Sequence, residues 1–320
     1  MTKPIRWLIT GSRGYVGRHL TSRLLREGVD YVGLDKETSH SLSERDKNIE
    51  CIGDYLDQKF VRTLFENNEI TGLVHLAALK DVTEAIENPT LYLESNLEGS
   101  ISLLNLMEEH NVKKIVFASS AAVYGDQNTH NGFKESDKTI PSNAYGKSKL
   151  EFENYLFANG SSLGLSTISL RFFNIGGAER DLLPDLNGSN LIPKLIDSAL
   201  GKSVFSIFGG AFPTKDGTAE RDFVHISDVV DAILKAMNHV ATSTGSKIVN
   251  VGSGQATSVQ TALQEVSDFL NTQIFREVSQ PREGDAYSSF ADISTARVLL
   301  NWEPKKVFSE IINSYTNHVT

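Results

Sequence analysis

A short apolar run, Ile5 to Thr10, passes directly into Gly11-Ser12-Arg13-Gly14-Tyr15-Val16-Gly17, and no other junction constrains the fold as tightly. After it Val16, Leu20, Leu24 and Leu25 recur at helical spacing until Gly28 offers a C-terminal cap. Strand, glycine-rich turn and helix in that order bring backbone N–H groups close to a phosphate at the positive end of the helix. The spacing is Gly-x-x-Gly-x-x-Gly rather than the commoner Gly-x-Gly-x-x-Gly, and glycine-rich turns also serve purely structural ends. A second apolar run, Tyr31 to Leu34, then ends in Asp35. An acidic residue roughly 20 positions beyond the glycines accepts hydrogen bonds from an adenosine ribose and repels a 2′-phosphate. The stretch therefore predicts a dinucleotide site built on Gly11, Gly14, Tyr15, Val16, Gly17 and Asp35, with NAD as the cofactor.

The alternation continues. Strand-like runs fall at 48–52, 72–77, 114–118 and 166–172, and Leu91, Leu97, Ile101, Leu104 and Met107 mark one long amphipathic helical face between them. Strands alternating with helices imply an α/β fold, a Rossmann-type doubly wound parallel sheet. In such sheets ligands bind beyond the carboxyl ends of the strands. Asp54, Ala77 to Lys80, Ser119-Ser120 and Phe173-Asn174 are all expected just past strand ends. From about Ile175 loops dominate: Gly176-Gly177, 181–190 and 209–220. Asp228 to Met237 is amphipathic, and Ile248 to Gly252 reads as a late strand. The expected division is a nucleotide-binding domain over 1–174 and a smaller α/β substrate domain over 175–320, with about 222–255 returning to the first.

Composition limits the partners. With a net charge of −9 and no Lys/Arg block, the chain of 320 residues lacks the footprint of a nucleic-acid binder. The one cysteine, Cys51, reads as core rather than nucleophile and suits a reducing compartment. The eight histidines show no metal-ligand spacing, so no metal is expected. With no run of 18 apolar residues, and Met1-Thr2-Lys3 leading into a strand, neither membrane span nor signal peptide is expected, and the location is expected to be cytoplasmic.

The chemistry gathers at Tyr145-Gly146-Lys147-Ser148-Lys149, with Ser119 and Ser120 upstream. If 143–159 is a helix, Tyr145 and Lys149 share a face one turn apart. A free phenol titrates near ~10 and is a poor base at neutral pH. A neighbouring ammonium and an oxidised nicotinamide both favour the phenolate. The pair alone also fits an ordinary solvent-facing helix; its place in the chain gives it weight.

These residues together resemble the extended short-chain dehydrogenase/reductase family, and within it the UDP-hexose 4-epimerases. The resemblance rests on the glycine turn, His75-Leu76-Ala77-Ala78-Leu79-Lys80, Ser119-Ser120-Ala121-Ala122-Val123-Tyr124-Gly125, the Tyr145 to Lys149 stretch and Leu170-Arg171-Phe172-Phe173-Asn174. Pro213-Thr214-Lys215-Asp216-Gly217-Thr218, Arg221-Asp222-Phe223-Val224-His225 and Arg282-Glu283-Gly284-Asp285 narrow it to the epimerase side.

The resemblance implies that Tyr145 takes the proton of a C4 hydroxyl. It makes Ser120 the bridge to that hydroxyl, and Lys149 the group that holds the nicotinamide ribose and lowers the phenol's pKa. It places Asp35, Asp54, Tyr55, Leu76, Ala77, Ala78, Lys80, Asn96, Ser119 and Phe173 along the dinucleotide. Lys80, Asn174, Asn190, Leu191, Ser206, Phe208, Arg221, Arg282, Asp285 and Ser289 would line the UDP-sugar. Hydride leaves C4 for NAD⁺, a 4-keto sugar turns over, and hydride returns to the other face.

Ala122 departs from the hydroxyl residue common two places after the serine. Ser289 stands where narrow-specificity relatives carry a bulky Tyr, so N-acetylated UDP-hexoses are expected as substrates beside UDP-glucose and UDP-galactose, unless Tyr287 or Phe290 refills the gap. A homodimer is expected through helices at 89–110 and 143–159, where Leu150, Phe152, Tyr155 and Leu156 serve either that contact or the core. Three alternatives stay open: a sugar-nucleotide dehydratase, though its acid/base carboxylate pair is replaced by Ala121-Ala122; a reductase; and an NAD-sensing protein, which typically loses the Tyr/Lys pair.

Overall fold

All four residues of the first strand, β1 (Trp7–Thr10), are buried, which is why it reads as an unbroken apolar run. The computed structural model describes residues 5–36, 50–179, 182, 184–185, 190–281 and 286–316. After β1 come α1 (Tyr15–Glu27), β2 (Tyr31–Asp35), β3 (Glu50–Ile52), α2 (Gln58–Asn68), β4 (Gly72–His75), α3 (Val82–Glu87) and α4 (Pro89–Tyr92). A π-helical turn (Leu93–Glu98) leads into α5 (Gly99–Glu109), β5 (Lys114–Ser120), a 3-10 turn (Ala121–Tyr124), α6 (Ala144–Gly160) and β6 (Ser166–Phe172). The chain continues through β7 (Asn174–Gly176), α7 (Leu191–Ala199), β8 (Phe205–Phe208), β9 (Glu220–Arg221), β10 (Phe223–His225), α8 (Ile226–Thr242) and β11 (Gly245–Val251). It closes with β12 (Thr257–Ser258), α9 (Val259–Leu270), β13 (Arg276–Ser279), β14 (Ser288–Ser289), α10 (Ser294–Leu300) and α11 (Phe308–Thr316).

Among the described residues seven strands form one sheet in the order β11-β6-β5-β4-β1-β2-β3, and the pairs from β3 through β5 run parallel. The strand order reverses between β1 and β4, the switch point at which doubly wound sheets open a nucleotide crevice. The expected α/β architecture is the observed one.

The chain divides into two compact units. The first comprises Met1–Gly125, Pro141–Arg171 and Val230–Val249. Its core packs Leu8, Val32 and Leu34 of the strands against Leu103, Met107, Phe152 and Leu156 of the helices. The second comprises Asp126–Ile140, Phe172–Val229 and Asn250–Thr320, cored by Leu195, Phe205, Ile207, Phe223, Leu263 and Ile311. The division drawn from sequence, 1–174 against 175–320 with 222–255 returning, differs in its edges. It also leaves out 126–140, a loop segment whose composition carries no sign of its unit.

Two local expectations are corrected. Strand β5 runs on to Ser120, so Ser119 and Ser120 end the strand rather than follow it. The single helical face expected from Leu91 to Met107 is broken by the π-helical turn. One extra residue in that turn rotates what precedes it, leaving Leu91 43% exposed while Leu104 and Met107 stay in the core. Of the residues left open between a dimer contact and the core, Phe152 and Leu156 are core residues, whereas Phe157 beside them is 67% exposed. Of the run expected as a strand at 48–52, residues 48 and 49 lie outside the described residues.

Candidate active site

The glycine turn is shaped by close approach. Gly11 has φ +69°, and a Cβ on it would stand 2.8 Å from the Ala77 backbone nitrogen. A Cβ on Gly17 would lie 2.0 Å from the Gly11 carbonyl oxygen, so α1 packs directly on the turn. Gly14, exposed, caps the N-terminus of α1, and Tyr15 and Val16 open its first turn. Asp35 Oδ2, at the end of β2, accepts from the Arg13 backbone N–H at 2.9 Å, which ties the acidic residue to the turn. This cradle fits a pyrophosphate on the helix terminus and a ribose on Asp35.

Around it, several side chains expected to line a dinucleotide have internal tasks. Tyr55 donates to the Ser95 carbonyl at 2.6 Å, and burial pushes its phenol up to about 12. Asn96, in the π-helical turn, accepts from the Leu79 N–H and donates to the Leu79 carbonyl, both at 2.9 Å, so it clamps the segment Leu76-Ala77-Ala78-Leu79. Asp54 pairs with Lys36 at 2.9 Å. Lys80 is exposed and Phe173 is buried. His75 is buried between the Thr10 and Ser100 hydroxyls at 2.7 and 2.8 Å. Burial lowers it to about 3, which keeps the ring neutral. Burial likewise raises the Cys51 thiol, in keeping with a core role.

The reactive group forms where α6 crosses the end of β5. Asn143 caps α6, its Oδ1 accepting from the Gly146 N–H at 2.9 Å. Tyr145 is thereby set in the first turn with Lys149 one turn further, its Nζ 5.8 Å from the centre of the Tyr145 ring. Ser120 lies close enough to Tyr145 to favour its phenolate, and the Ser120 Oγ accepts from the Ala122 N–H at 3.2 Å. Lys149 is buried, donates to the Ala118 carbonyl at 2.8 Å and stands 4.8 Å over the Phe117 ring. Desolvation lowers its pKa to about 7, with Glu153 acting in the opposite direction. The lowering expected for Tyr145 does not prevail in the protein alone: burial pushes the phenol up, against the opposing pull of Ser120.

Reading the sequence missed Glu153, Tyr124 and the task of Arg171. Glu153 takes a forked pair from Arg171, at 3.1 Å from Nε to Oε1 and 2.7 Å from Nη2 to Oε2, with both side chains buried. The only available signal is spacing: 145, 149 and 153 continue one helical face.

In the second unit Arg221 and Ser289 are register partners on β9 and β14. Arg221 also donates to the Ala286 carbonyl at 2.8 Å. Their neighbours Glu220 and Ser288 turn to the opposite face, where Ser288 donates to Glu220 at 2.8 Å. A cavity of about 310 Å³ is lined by Glu220, Tyr287, Ser288 and Phe290 among others. Ser206 and Phe208 occupy the less buried side of β8, with Ser206 donating to Glu277 at 2.8 Å. Asn174 is exposed on β7, and Asn190 and Leu191 begin α7. Arg282 and Asp285 lie outside the described residues.

Buried Asp222, also missed, accepts from Ser253 N–H and Oγ at 2.6 Å, Gly254 N–H at 3.0 Å and Ala291 N–H at 3.1 Å. It fixes the backbone on which Arg221 and Ser289 stand.

A doubly wound sheet, a glycine cradle at its switch point and a Ser/Tyr/Lys group at the end of β5 define a dinucleotide-dependent enzyme class. Residues 7–252 match the model of the NAD dependent epimerase/dehydratase family. The chain belongs to that family, and its cofactor is NAD. It is 35% identical to a UDP-glucose 4-epimerase of Halalkalibacterium halodurans over 93% of this chain and 90% of that one. The crystal structure of a UDP-glucose 4-epimerase from Stenotrophomonas maltophila, with bound NAD and formylated UDP-arabinopyranose, matches with a TM-score of 0.90 at 31% identity, covering 97% and 96% of the two chains. A UDP-Glc/GlcNAc 4-epimerase from Campylobacter jejuni matches with a TM-score of 0.83 at 28% identity, covering 98% of each.

Proposed function

We propose that the protein interconverts UDP-glucose and UDP-galactose at C4 and accepts their N-acetylated counterparts. The observation that carries this is the Tyr145 phenol with the Lys149 ammonium one helical turn away, 5.8 Å from its ring centre, and Ser120 close enough to favour the phenolate. Bound NAD supplies the acceptor and donor of hydride at the sugar carbon. The chain's own residues hold the cofactor and manage the proton. Gly11, Gly14 and Gly17 let the backbone reach the pyrophosphate, and Asp35 receives the ribose. Tyr145 takes the C4 hydroxyl proton and returns it, Ser120 orients that hydroxyl, and Lys149 holds the nicotinamide ribose. Because burial alone keeps the phenol protonated, turnover calls on positive charge beside it, which Lys149 and the oxidised ring provide. Arg221 suits a diphosphate, since a guanidinium fork meets phosphate oxygens bidentately. A dehydratase is disfavoured by Ala121-Ala122 after Ser120, where no carboxylate stands.

Acceptance of an N-acetyl group rests on Ser289. The aromatic residues expected to refill the gap, Tyr287 and Phe290, line a cavity that Glu220 and Ser288 also line and Ser289 does not, which supports an open position at Ser289. The same reading makes the protein a cytoplasmic homodimer, with Phe157 and Leu91 as the apolar side chains exposed on the helices concerned. Among the described residues no helix is long and apolar enough to cross a membrane. Product analysis with UDP-glucose, UDP-galactose, UDP-N-acetylglucosamine and UDP-N-acetylgalactosamine tests the reading. Ser289→Tyr should suppress the N-acetylated reaction and spare UDP-galactose, because bulk there clashes with one substrate class only. Equal loss on both classes, or no N-acetyl turnover by the parent, overturns the assignment.

A further inference from the structure

Three successive residues of β5 meet three residues spaced one turn apart on α6. Ser120 lies beside Tyr145, the Ala118 carbonyl accepts from Lys149 at 2.8 Å, and the Ser119 Oγ donates to Glu153 Oε1 at 2.5 Å. The last contact is anchored from β6 by the Arg171 fork, whose remaining arm donates to the Tyr124 hydroxyl at 3.0 Å. Glu153 is 2% exposed and Arg171 3%, so both charges have left water altogether. Such a pair rarely adds net stability, because desolvation consumes the attraction, and apolar replacements of similar volume are often as stable. Stability therefore does not explain it.

We infer that Glu153 is a positioning residue of the Tyr145/Lys149 centre: its negative charge offsets the burial of the Lys149 ammonium, and its bond to Ser119 fixes the strand end that carries Ser120. This rests on the reading that Tyr145 and Lys149 handle the sugar's proton and the cofactor's ribose.

The charged and titratable groups around Lys149 leave Glu153 as the one that matters. Tyr145 is a neutral phenol in the protein alone, and His75, whose cost of protonation rises beside Lys149, is already neutral. Arg171 and Tyr124 lie behind Glu153 in the same network. Glu94 and Glu98 on the π-helical turn packed against α6 are exposed to solvent. Glu153 alone opposes the desolvation that draws Lys149 down to about 7. Without it the ammonium would be lost at lower pH, and with it the charge that favours the Tyr145 phenolate.

The test compares the NAD-loaded parent with Glu153→Gln and with the double variant Glu153→Leu/Arg171→Met. The profile of kcat against pH from 5.5 to 10 is measured with UDP-galactose, alongside KM and Tm. Glu153→Gln keeps an acceptor for Ser119 but removes the negative charge facing Arg171; should it fail to fold, the double variant decides. In the double variant Tm should return to within a few degrees of the parent's. The alkaline limb of kcat should begin about one pH unit lower, with KM changed less than about twofold. A double variant that folds well and keeps the parental alkaline limb overturns the inference while leaving the assignment of Tyr145 intact. A parent with no turnover on any UDP-hexose instead removes the reading on which it rests.

Discussion

Replacing Lys149 with Met separates stability from activity at the centre of the site. The ammonium is 3% exposed, and desolvation draws its pKa from 10.5 to about 7. At about 1.4 kcal/mol per unit, a depression of that size corresponds to a folding penalty of up to ~5 kcal/mol on the protonated lysine. The sign follows from linkage. The folded value lies below the unfolded one, so folding expels a proton. The penalty is full below pH 7 and fades as the pH rises towards 10.5. A Met of similar length carries no such cost but forfeits the bond to Ala118 and the position over Phe117, together ~1–2 kcal/mol. Cofactor-free Lys149→Met should therefore be more stable than the cofactor-free parent by ~1–3 kcal/mol at pH 6, a rise of a few degrees in Tm, with a smaller gain at pH 9. Thermal unfolding at the two pH values reads this directly, and turnover of UDP-galactose should be lost in the same protein. A Met variant no more stable than the parent at pH 6, or a gain that does not shrink at pH 9, would refute the buried-ammonium reasoning.

Tyr145→Phe removes a proton acceptor and almost no volume, so turnover should drop by ~10² or more while NAD stays bound; near-parental rates would remove Tyr145 from the catalytic role. Gly17→Ala would put a methyl group 2.0 Å from the Gly11 carbonyl, and the protein should purify with little or no NAD, as absorbance of cofactor released on denaturation will show. Normal cofactor content would mean that the turn tolerates displacement. Mass spectrometry of released cofactor should find NAD and not NADP, because Asp35 repels a 2′-phosphate and Lys36 is occupied by Asp54 at 2.9 Å.

The dinucleotide half was legible because its signals are local. Glycines that a Cβ would force apart, and a Tyr and Lys on one helical turn, declare themselves within a few residues. Glu153 was not legible, since one glutamate on a polar helix looks like any other until Arg171 and Ser119 arrive from two different strands. Leu91 fell off its expected face because a π-helical turn leaves no mark in hydrophobic periodicity. The β8–β13 pair escaped notice for a related reason: each is a four-residue strand, Phe205–Phe208 and Arg276–Ser279, and β13 is largely exposed, so no alternation is long enough to read. Asp222 gave no sign of its four donors, which come from residues 253, 254 and 291, far along the chain.

The alternation on the β9–β14 ribbon bears on how such a protein can change its diet over generations. Among the bonds that hold the ribbon are those of Ser288 with Glu220, of the Tyr287 carbonyl with the Glu220 N–H at 2.8 Å, of the Ala286 carbonyl with Arg221, of the Ser289 carbonyl with the Asp222 N–H at 3.1 Å, and the cage around Asp222. None of them uses the side chain of residue 289. A lineage can therefore exchange that one side chain for a larger or smaller one without breaking any of these bonds; where position 289 faces the sugar, as proposed above, its fit can be altered while the scaffold that presents it is left standing.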